Sequence, residues 1–146
     1  MLLFILPATA KANVSIVATV NGKPITNYEV EARVSFLLYA TNITLTEENQ
    51  QRIYDDALQL LIDDLLKLET ARSAYPEIDS AALPQVNNLI DKNFGNDGKN
   101  GMKMLRQEGV DPMSVAAKYL SDIAWSSFIS NRFSRKFQKI DEQVDE

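Results

Sequence analysis

Apolar and polar side chains partly alternate over residues 14–20, where β-branched residues are frequent. This pattern is typical of a β-strand. Asn21-Gly22 follows and is a strong two-residue hairpin signal, and residues 23–25 provide a short returning strand. The chain is therefore predicted to begin its fold with a β-hairpin.

Helical spacing replaces the alternation after Thr26. Thr26 and Glu29, three residues apart, form a capping-box sequence, which predicts a helix that begins at about Asn27. Residues 30, 34, 37 and 38 are apolar and share one face of this helix.

A second helix is predicted to run from about Thr46 to Ala74, with another capping box formed by Thr44 and Glu47. Its centre is apolar on nearly all sides, so we expect it to be the core element of the fold. Tyr75-Pro76 is expected to end it, because proline cannot continue the helical hydrogen bonds.

Three further helices complete the prediction. Asp79 is a possible N-cap of the third, although Pro84 lies within its first turns and leaves its start open. A loop over residues 93–101 precedes a short fourth helix near residues 102–108. Asp111-Pro112 then provides an N-cap and a first helical residue for a long fifth helix. Its apolar face comprises Leu120, Ile123, Ala124, Phe128, Ile129, Phe133 and Phe137. The sequence thus predicts a mostly α-helical bundle of about five helices with a short N-terminal β-hairpin.

The composition of the chain argues against several classes of function. The 146-residue chain has no His, no Cys and a net charge of −5. Thiol nucleophiles, thiolate zinc sites and the most common general base are therefore absent. The negative charge argues against nucleic acid, whose binding depends on Lys and Arg. The five glycines form no phosphate loop. Asp56 and Asp63 are a possible hard-metal pair, but a solvated helix face is the favoured interpretation.

The first twelve residues are predicted to be a signal peptide. No basic segment precedes the apolar run at residues 1–6, which predicts that this signal peptide is truncated. Two cleavage patterns fit, one ending at Ala10 and the other at Ala12. The second is preferred and would make Asn13 the mature N-terminus. A buried N-terminal strand is the alternative, and the apolar run is too short to span a membrane.

The order of these features resembles the N-terminal module of SurA-type periplasmic chaperones. The resemblance covers about residues 16–146 and rests on residues 17–26 (VATVNGKPIT), residues 57–71 (ALQLLIDDLLKLETA), the segment 105–109 and Asp122-Ile123-Ala124-Trp125. It implies a protein that holds unfolded outer-membrane proteins in the periplasm. Members commonly carry parvulin-like prolyl isomerase domains after this module. The absence of His departs from the parvulin pattern, and residues 140–146 resemble a segment leading into such a domain, so a fragment is expected.

The predicted function is a periplasmic module of residues 13–146 that binds unfolded clients through apolar surface. No catalytic residue, cofactor, metal ion or stable membrane insertion is expected, and the oligomeric state stays open. Met102, Met104, Met113, Phe128 and Phe133 are the candidate peptide-binding residues, because flexible methionines repack around varied apolar groups. Two alternatives are the binding arm of a peptidyl-prolyl isomerase and a structural adaptor for one envelope partner.

Overall fold

The computed structural model describes residues 13–144, with side chains as far as residue 134. Strands β1 (Ile16–Val20) and β2 (Lys23–Thr26) precede five helices: α1 (Asn27–Thr41), α2 (Gln50–Ala74), α3 (Ile78–Phe94), α4 (Gly101–Gln107) and α5 (Pro112–Val144). This confirms the predicted mostly α-helical bundle with a short N-terminal β-hairpin. The predicted signal peptide at residues 1–12 and the side chain of Phe137 lie outside the described part.

The hairpin and the start of α1 follow the sequence signals. Asn21 and Gly22 have φ values of 50° and 81°, which the tight two-residue turn between antiparallel strands requires. At the start of α1 the Thr26 hydroxyl accepts a hydrogen bond from the Glu29 N–H, and the Glu29 carboxylate accepts one from the Thr26 N–H at 2.8 Å. The predicted capping box is confirmed.

The predicted start of the second helix is wrong by four residues. Helix α2 begins at Gln50, because Thr46 and Asn49 bind each other across a turn instead of Thr44 and Glu47 forming a cap. The Thr46 N–H donates to Asn49 Oδ1 at 2.8 Å, and the Asn49 N–H donates to Thr46 Oγ1 at 3.3 Å. Asx and Ser/Thr side chains can stabilise such turns in place of a helix.

Asp79 lies inside the first turn of α3 and is not its N-cap. Its two carboxylate oxygens instead share the Arg72 Nε–H in a bifurcated hydrogen bond, and Oδ2 also accepts a hydrogen bond from Arg72 Nη2 at 2.6 Å. This pair connects the end of α2 to the start of α3. Pro84 lies within α3 on its exposed side, so the helix passes through the proline that left its start open.

The start of α5 is as predicted. The Asp111 carboxylate accepts a hydrogen bond from the Met113 N–H at 3.0 Å, and Pro112 is the first helical residue. Gly109, with a φ of 74°, ends the preceding turn after α4 in a conformation that favours glycine.

The core consists of three clusters that share the long helices. The first joins α1, α3, α4 and α5 through Phe36, Val86, Ile90, Leu105, Val110 and Val115. The second joins α2, α3 and α5 through Ala71, Ile78, Ala124 and Phe128. The third places the hairpin against α1 and α2 through Ile25, Val30 and Ala57. Helix α5 contributes to the first two clusters and therefore holds both ends of the bundle together.

Candidate functional site

Among residues 13–134, whose side chains the structure describes, no group of three or more acidic side chains is placed to hold a metal ion. Asp56 is exposed and pairs with Arg52, whereas Asp63 accepts a hydrogen bond from Gln59 at 2.9 Å. No helix in this part of the chain has the length and apolar character needed to cross a membrane. The remaining candidates for function are open surfaces.

The largely apolar groove between α1 and α2, here called the α1–α2 groove, has a volume of about 370 Å³. Its apolar lining consists of Leu37, Leu38, Ile43, Ile53 and Leu60. Thr41, Arg52, Asp56 and Gln59 supply its polar lining. A concave apolar surface with a few polar groups is the usual form of a ligand site.

The path of the chain between the two helices creates this groove. Helix α1 ends at Thr41, and Asn42 follows with a φ of 53°, a left-handed residue that turns the chain away from the helix axis. The connection then carries Ile43 and Leu45, and both side chains are exposed. Apolar side chains are thus held in solvent by the turn that separates α1 from α2.

The apolar surface continues beyond the groove. A neighbouring depression of about 410 Å³ shares Leu38 with the α1–α2 groove. Half of its lining is apolar or aromatic, and the other half is polar: Val34, Leu38, Leu45 and Tyr54 against Glu31, Ser35, Gln50 and Gln51. Arg52 and Asp56 in the lining of the groove form a solvent-exposed ion pair at 3.6 Å, and Glu31 adds a negative charge to the neighbouring depression. The α1–α2 groove, whose two charges cancel, therefore favours apolar ligands over ions.

A second depression, here called the Arg33 pocket, lies where β2, α1, α2 and α5 meet and measures about 370 Å³. Its charged and polar lining consists of Lys23, Glu29, Arg33, Asp64 and Ser121. Its apolar lining consists of Pro24, Ile25, Leu61, Leu65, Leu68 and Ala117.

The Arg33 side chain is only 1% exposed. Its Nη1 atom donates a hydrogen bond to Asp64 Oδ2 at 2.8 Å, and its Nε–H is buried without an acceptor among the described residues. The Ser121 hydroxyl donates to the Asp64 carbonyl oxygen at 2.8 Å. Arg33 and Asp64 thus connect α1 to α2, and Ser121 adds α5 to the same junction.

The tip of the hairpin is fastened to α2 by Glu69. Its carboxylate accepts a hydrogen bond from the Asn21 side chain at 2.8 Å and lies 2.9 Å from Lys23 Nζ. The hydrogen bonds from Asn21 and Lys23 hold the pKa of the Glu69 carboxyl below its usual range. One side of the Arg33 pocket is therefore held by a polar contact at the surface.

The five predicted peptide-binding residues do not form one site. Met102 packs against the first core cluster, whereas Phe128 belongs to the second. Met104 is half-buried, Met113 is 65% exposed and Phe133 is 51% exposed. Met113 and Phe133 are twenty residues apart on α5, or about 30 Å along its axis. A client contacting both would have to extend along the helix.

Trp125 packs against the second core cluster. Its ring stacks on Phe128 with 5.2 Å between the centroids, and Arg132 lies over the same Phe128 ring.

Two features of these surfaces were missed by the sequence interpretation. Ile43 and Leu45 are apolar residues in the connection between α1 and α2. Apolar residues at such a position indicate an exposed apolar patch. Arg33 lies between Val30 and Val34 on α1. A charged residue beside an apolar helix face indicates a buried ion pair.

Comparison with known proteins gives relatives without an assigned activity. The chain is 30% identical over 135 residues to uncharacterized proteins of Rickettsia prowazekii and Rickettsia typhi, and 28% identical to one of Rickettsia conorii. These alignments cover 90% of this chain and 44% of each relative, so the chain spans less than half the length of these relatives. No family model matches the chain, and no solved structure matches it.

Proposed function

We propose that this chain is a chaperone module that binds unfolded polypeptide, including outer-membrane proteins, after export to the periplasm. The observation that carries the proposal is the largely apolar α1–α2 groove, which shares Leu38 with the half-apolar depression beside it. Short apolar stretches of an unfolded chain present the complementary chemistry, and burial of apolar area needs no particular sequence.

The resemblance of residues 16–146 to SurA-type chaperones supports the same function. It rests on the hairpin and on the apolar spacing of the following helices. The signal-peptide pattern at residues 1–12 supports export. Cleavage after Ala10 or Ala12 would leave a mature chain that begins at Lys11 or Asn13, which intact mass and N-terminal sequencing of periplasmic material would reveal. A soluble mature protein that retains residues 2–6 would contradict export by this route.

The main test measures whether the chain suppresses aggregation of several unrelated unfolded proteins, an outer-membrane protein among them. We expect Ile43→Ser and Leu60→Ser, combined in one variant, to weaken suppression severalfold because they remove apolar area from the α1–α2 groove. Both side chains are exposed, so the variant should remain folded. Suppression should change little with salt, since apolar contacts are not screened.

Leu83→Ser is the matched control. Leu83 is as exposed as the groove residues but lies on α3, and it does not line the α1–α2 groove. Suppression by this variant should equal that of the unaltered chain. Equal suppression by the groove variant and the control would contradict the groove as the binding surface. Activity toward a single folded partner, with none toward unfolded proteins, would favour an adaptor.

Catalysis of prolyl isomerisation is a separate matter. Uncatalysed isomerisation takes on the order of tens to hundreds of seconds, and its acceleration requires a shaped pocket with placed polar groups. We expect no acceleration by residues 13–146 on a proline-containing test peptide. An acceleration that co-purifies with the chain and is absent from a mock purification would contradict this.

A further inference from the structure

The depression beside the α1–α2 groove, here called the Glu31 depression, joins two kinds of surface. On α1, Glu31 is followed at three, four and seven residues by Val34, Ser35 and Leu38, so one helix face carries all four into the lining. Leu38 also lines the α1–α2 groove, and Glu31 is about 10 Å from it along the helix axis. The apolar groove therefore leads into a depression that contains an exposed carboxylate.

Negative charge without a partner surrounds this depression. Glu31 lies in its lining, and Asp55 accepts a hydrogen bond at 2.9 Å from Gln51, another lining residue. Glu47 and Glu48 lie in the turn between two further lining residues. All four carboxylates are exposed, and none of them forms an ion pair with a Lys or Arg among the described residues. The depression therefore attracts a positive charge that approaches from solvent.

A lysine or arginine side chain matches both halves of this lining. Its methylene stem packs along apolar surface while its charged end remains hydrated. Val34, Leu45 and Tyr54 provide surface for the stem, and Glu31 provides the partner for the charged end. Because Glu31 is exposed, the cation keeps much of its hydration when it binds. An acidic side chain would be repelled here, and an apolar one would cover polar groups without satisfying them.

The charges also argue against two other occupants. A second copy of this chain has a net charge of −5, so its approach to an acidic surface is opposed. A metal ion requires several converging oxygen ligands, and no three acidic side chains converge among residues 13–134. A basic side chain of a polypeptide needs only one carboxylate and an apolar surface for its stem.

We infer that the α1–α2 groove and the Glu31 depression together bind an apolar segment of unfolded polypeptide that is flanked by lysine or arginine. The apolar side chains occupy the groove, and the basic side chain lies in the Glu31 depression. An extended chain advances about 3.3 Å per residue, so the basic residue lies within about three positions of the apolar ones. This inference rests on the proposed function for the source of the segment. It adds a preference among segments that the apolar groove alone does not provide.

Three peptides that differ only in charge test this preference. Each has the form acetyl-X-Ser-Leu-Ile-Leu-Ser-X-amide, where X is Lys, Gln or Glu, so the flanking residue is available in either direction of binding. In NMR titrations of the full chain at low ionic strength, we expect the lysine peptide to bind about threefold tighter than the glutamine peptide, and the glutamate peptide about threefold weaker. In about 0.5 M NaCl the three affinities should converge on that of the glutamine peptide, whose contacts are not screened.

Substitution of Glu31 tests the position of the cation. Glu31→Gln keeps the size of the side chain and removes its charge, so the lysine peptide should bind no tighter than the glutamine peptide, whose affinity should not change. Glu31→Lys should reverse the order, so that the glutamate peptide binds tightest. Both substitutions are at an exposed position and should leave the fold intact.

Glu108→Gln is the matched control. Glu108 is exposed at the end of α4 and does not line the groove or the Glu31 depression, and its substitution changes the net charge by the same amount. This variant should keep the preference for the lysine peptide. An equal loss of preference in Glu31→Gln and Glu108→Gln would mean that the net charge of the chain selects the peptide, which overturns the inference.

The peptide assay and the aggregation assay fail independently. Equal binding of the three peptides at low ionic strength, or binding of none, overturns the inference, whereas the proposed function is decided by aggregation suppression. Salt should change which segment is bound rather than the extent of suppression, because unfolded proteins also present apolar segments without flanking charge.

Discussion

The exposure of a carboxylate on α2 determines how much its ion pair contributes to the free energy of unfolding. Asp56 and Asp64 are two turns apart on the same helix, and each pairs with an arginine. The Asp56 pair is open to solvent, where water and salt screen the attraction. In the Asp64 pair, Arg33 is 1% exposed, so solvent does not screen the attraction between the two charges. Removal of Asp64 would leave the buried charge of Arg33 unpaired.

We therefore expect Asp64→Ala to lower the free energy of unfolding by about 3 kcal/mol. Asp56→Ala, the same change on the same helix, should lower it by less than about 0.5 kcal/mol. Urea denaturation followed by circular dichroism measures both. Similar small losses for the two variants would show that Arg33 finds water or another acceptor when Asp64 is removed.

Glu69 provides a prediction about pH. Because the folded state holds its pKa below the usual range, the contact stabilises the fold above the unfolded-state pKa. That contribution is lost as the pH falls through the lower folded-state pKa. Asn21→Gly removes one donor but keeps a residue suited to the left-handed turn.

We expect Asn21→Gly to raise the Glu69 pKa toward its usual range, which an NMR pH titration of the side-chain carboxyl carbon measures. Lys23→Met should raise it as well, through loss of the second donor. An unchanged pKa in both variants would show that neither contact persists in solution.

At the scale of single elements, the sequence predicted what short-range contacts determine. The turn at Asn21-Gly22 and the caps at Thr26 and Asp111 depend on neighbours within three residues, and all were predicted correctly. The start of α2 was not, because two overlapping cap signals competed and the bonds between Thr46 and Asn49 formed. Local signals identify such a turn but do not rank it against a competing one.

The candidate sites depend instead on contacts between residues that are far apart in the sequence. Arg33 and Asp64 are 31 positions apart, and nothing in the spacing of either helix pairs them. The α1–α2 groove arises from the angle at which the chain leaves Asn42, which the sequence pattern does not specify. The predicted methionine surface was based on clustering along the chain, and the fold separates Met102 from Phe128 into different clusters.

Helix α3 contains a proline whose removal should strengthen the element. Pro84 is exposed, and without an N–H it cannot bond to the carbonyl of Ser80. We expect Pro84→Ala to raise the free energy of unfolding by about 1–2 kcal/mol, the helix gain being partly offset by a more flexible unfolded chain. Thermal denaturation measures the change.

Pro112→Ala is the control for this effect, because Pro112 is buried at the first position of α5, where proline suits the helix. It should destabilise the chain. Stabilisation by both variants would mean that the position of the proline within its helix is irrelevant here.

At the scale of the whole molecule, α5 determines how the bundle unfolds. Val115 belongs to the first core cluster and Phe128 to the second, and one continuous helix carries both. Ser121 lies between them and bonds to α2. Neither cluster retains its packing when this helix detaches, so the two are expected to unfold together.

The single tryptophan, Trp125, reports on this coupling because it stacks on Phe128 in the second cluster. Val115→Ala removes buried atoms from the first cluster, about 15 Å away along α5, and should cost about 2 kcal/mol. We expect the urea transition of Trp125 fluorescence to shift by the same amount as that of far-ultraviolet circular dichroism. Phe133→Ser, on the exposed side of α5, should shift neither transition. A fluorescence transition that stays in place while circular dichroism shifts would mean that the clusters unfold separately despite sharing a helix.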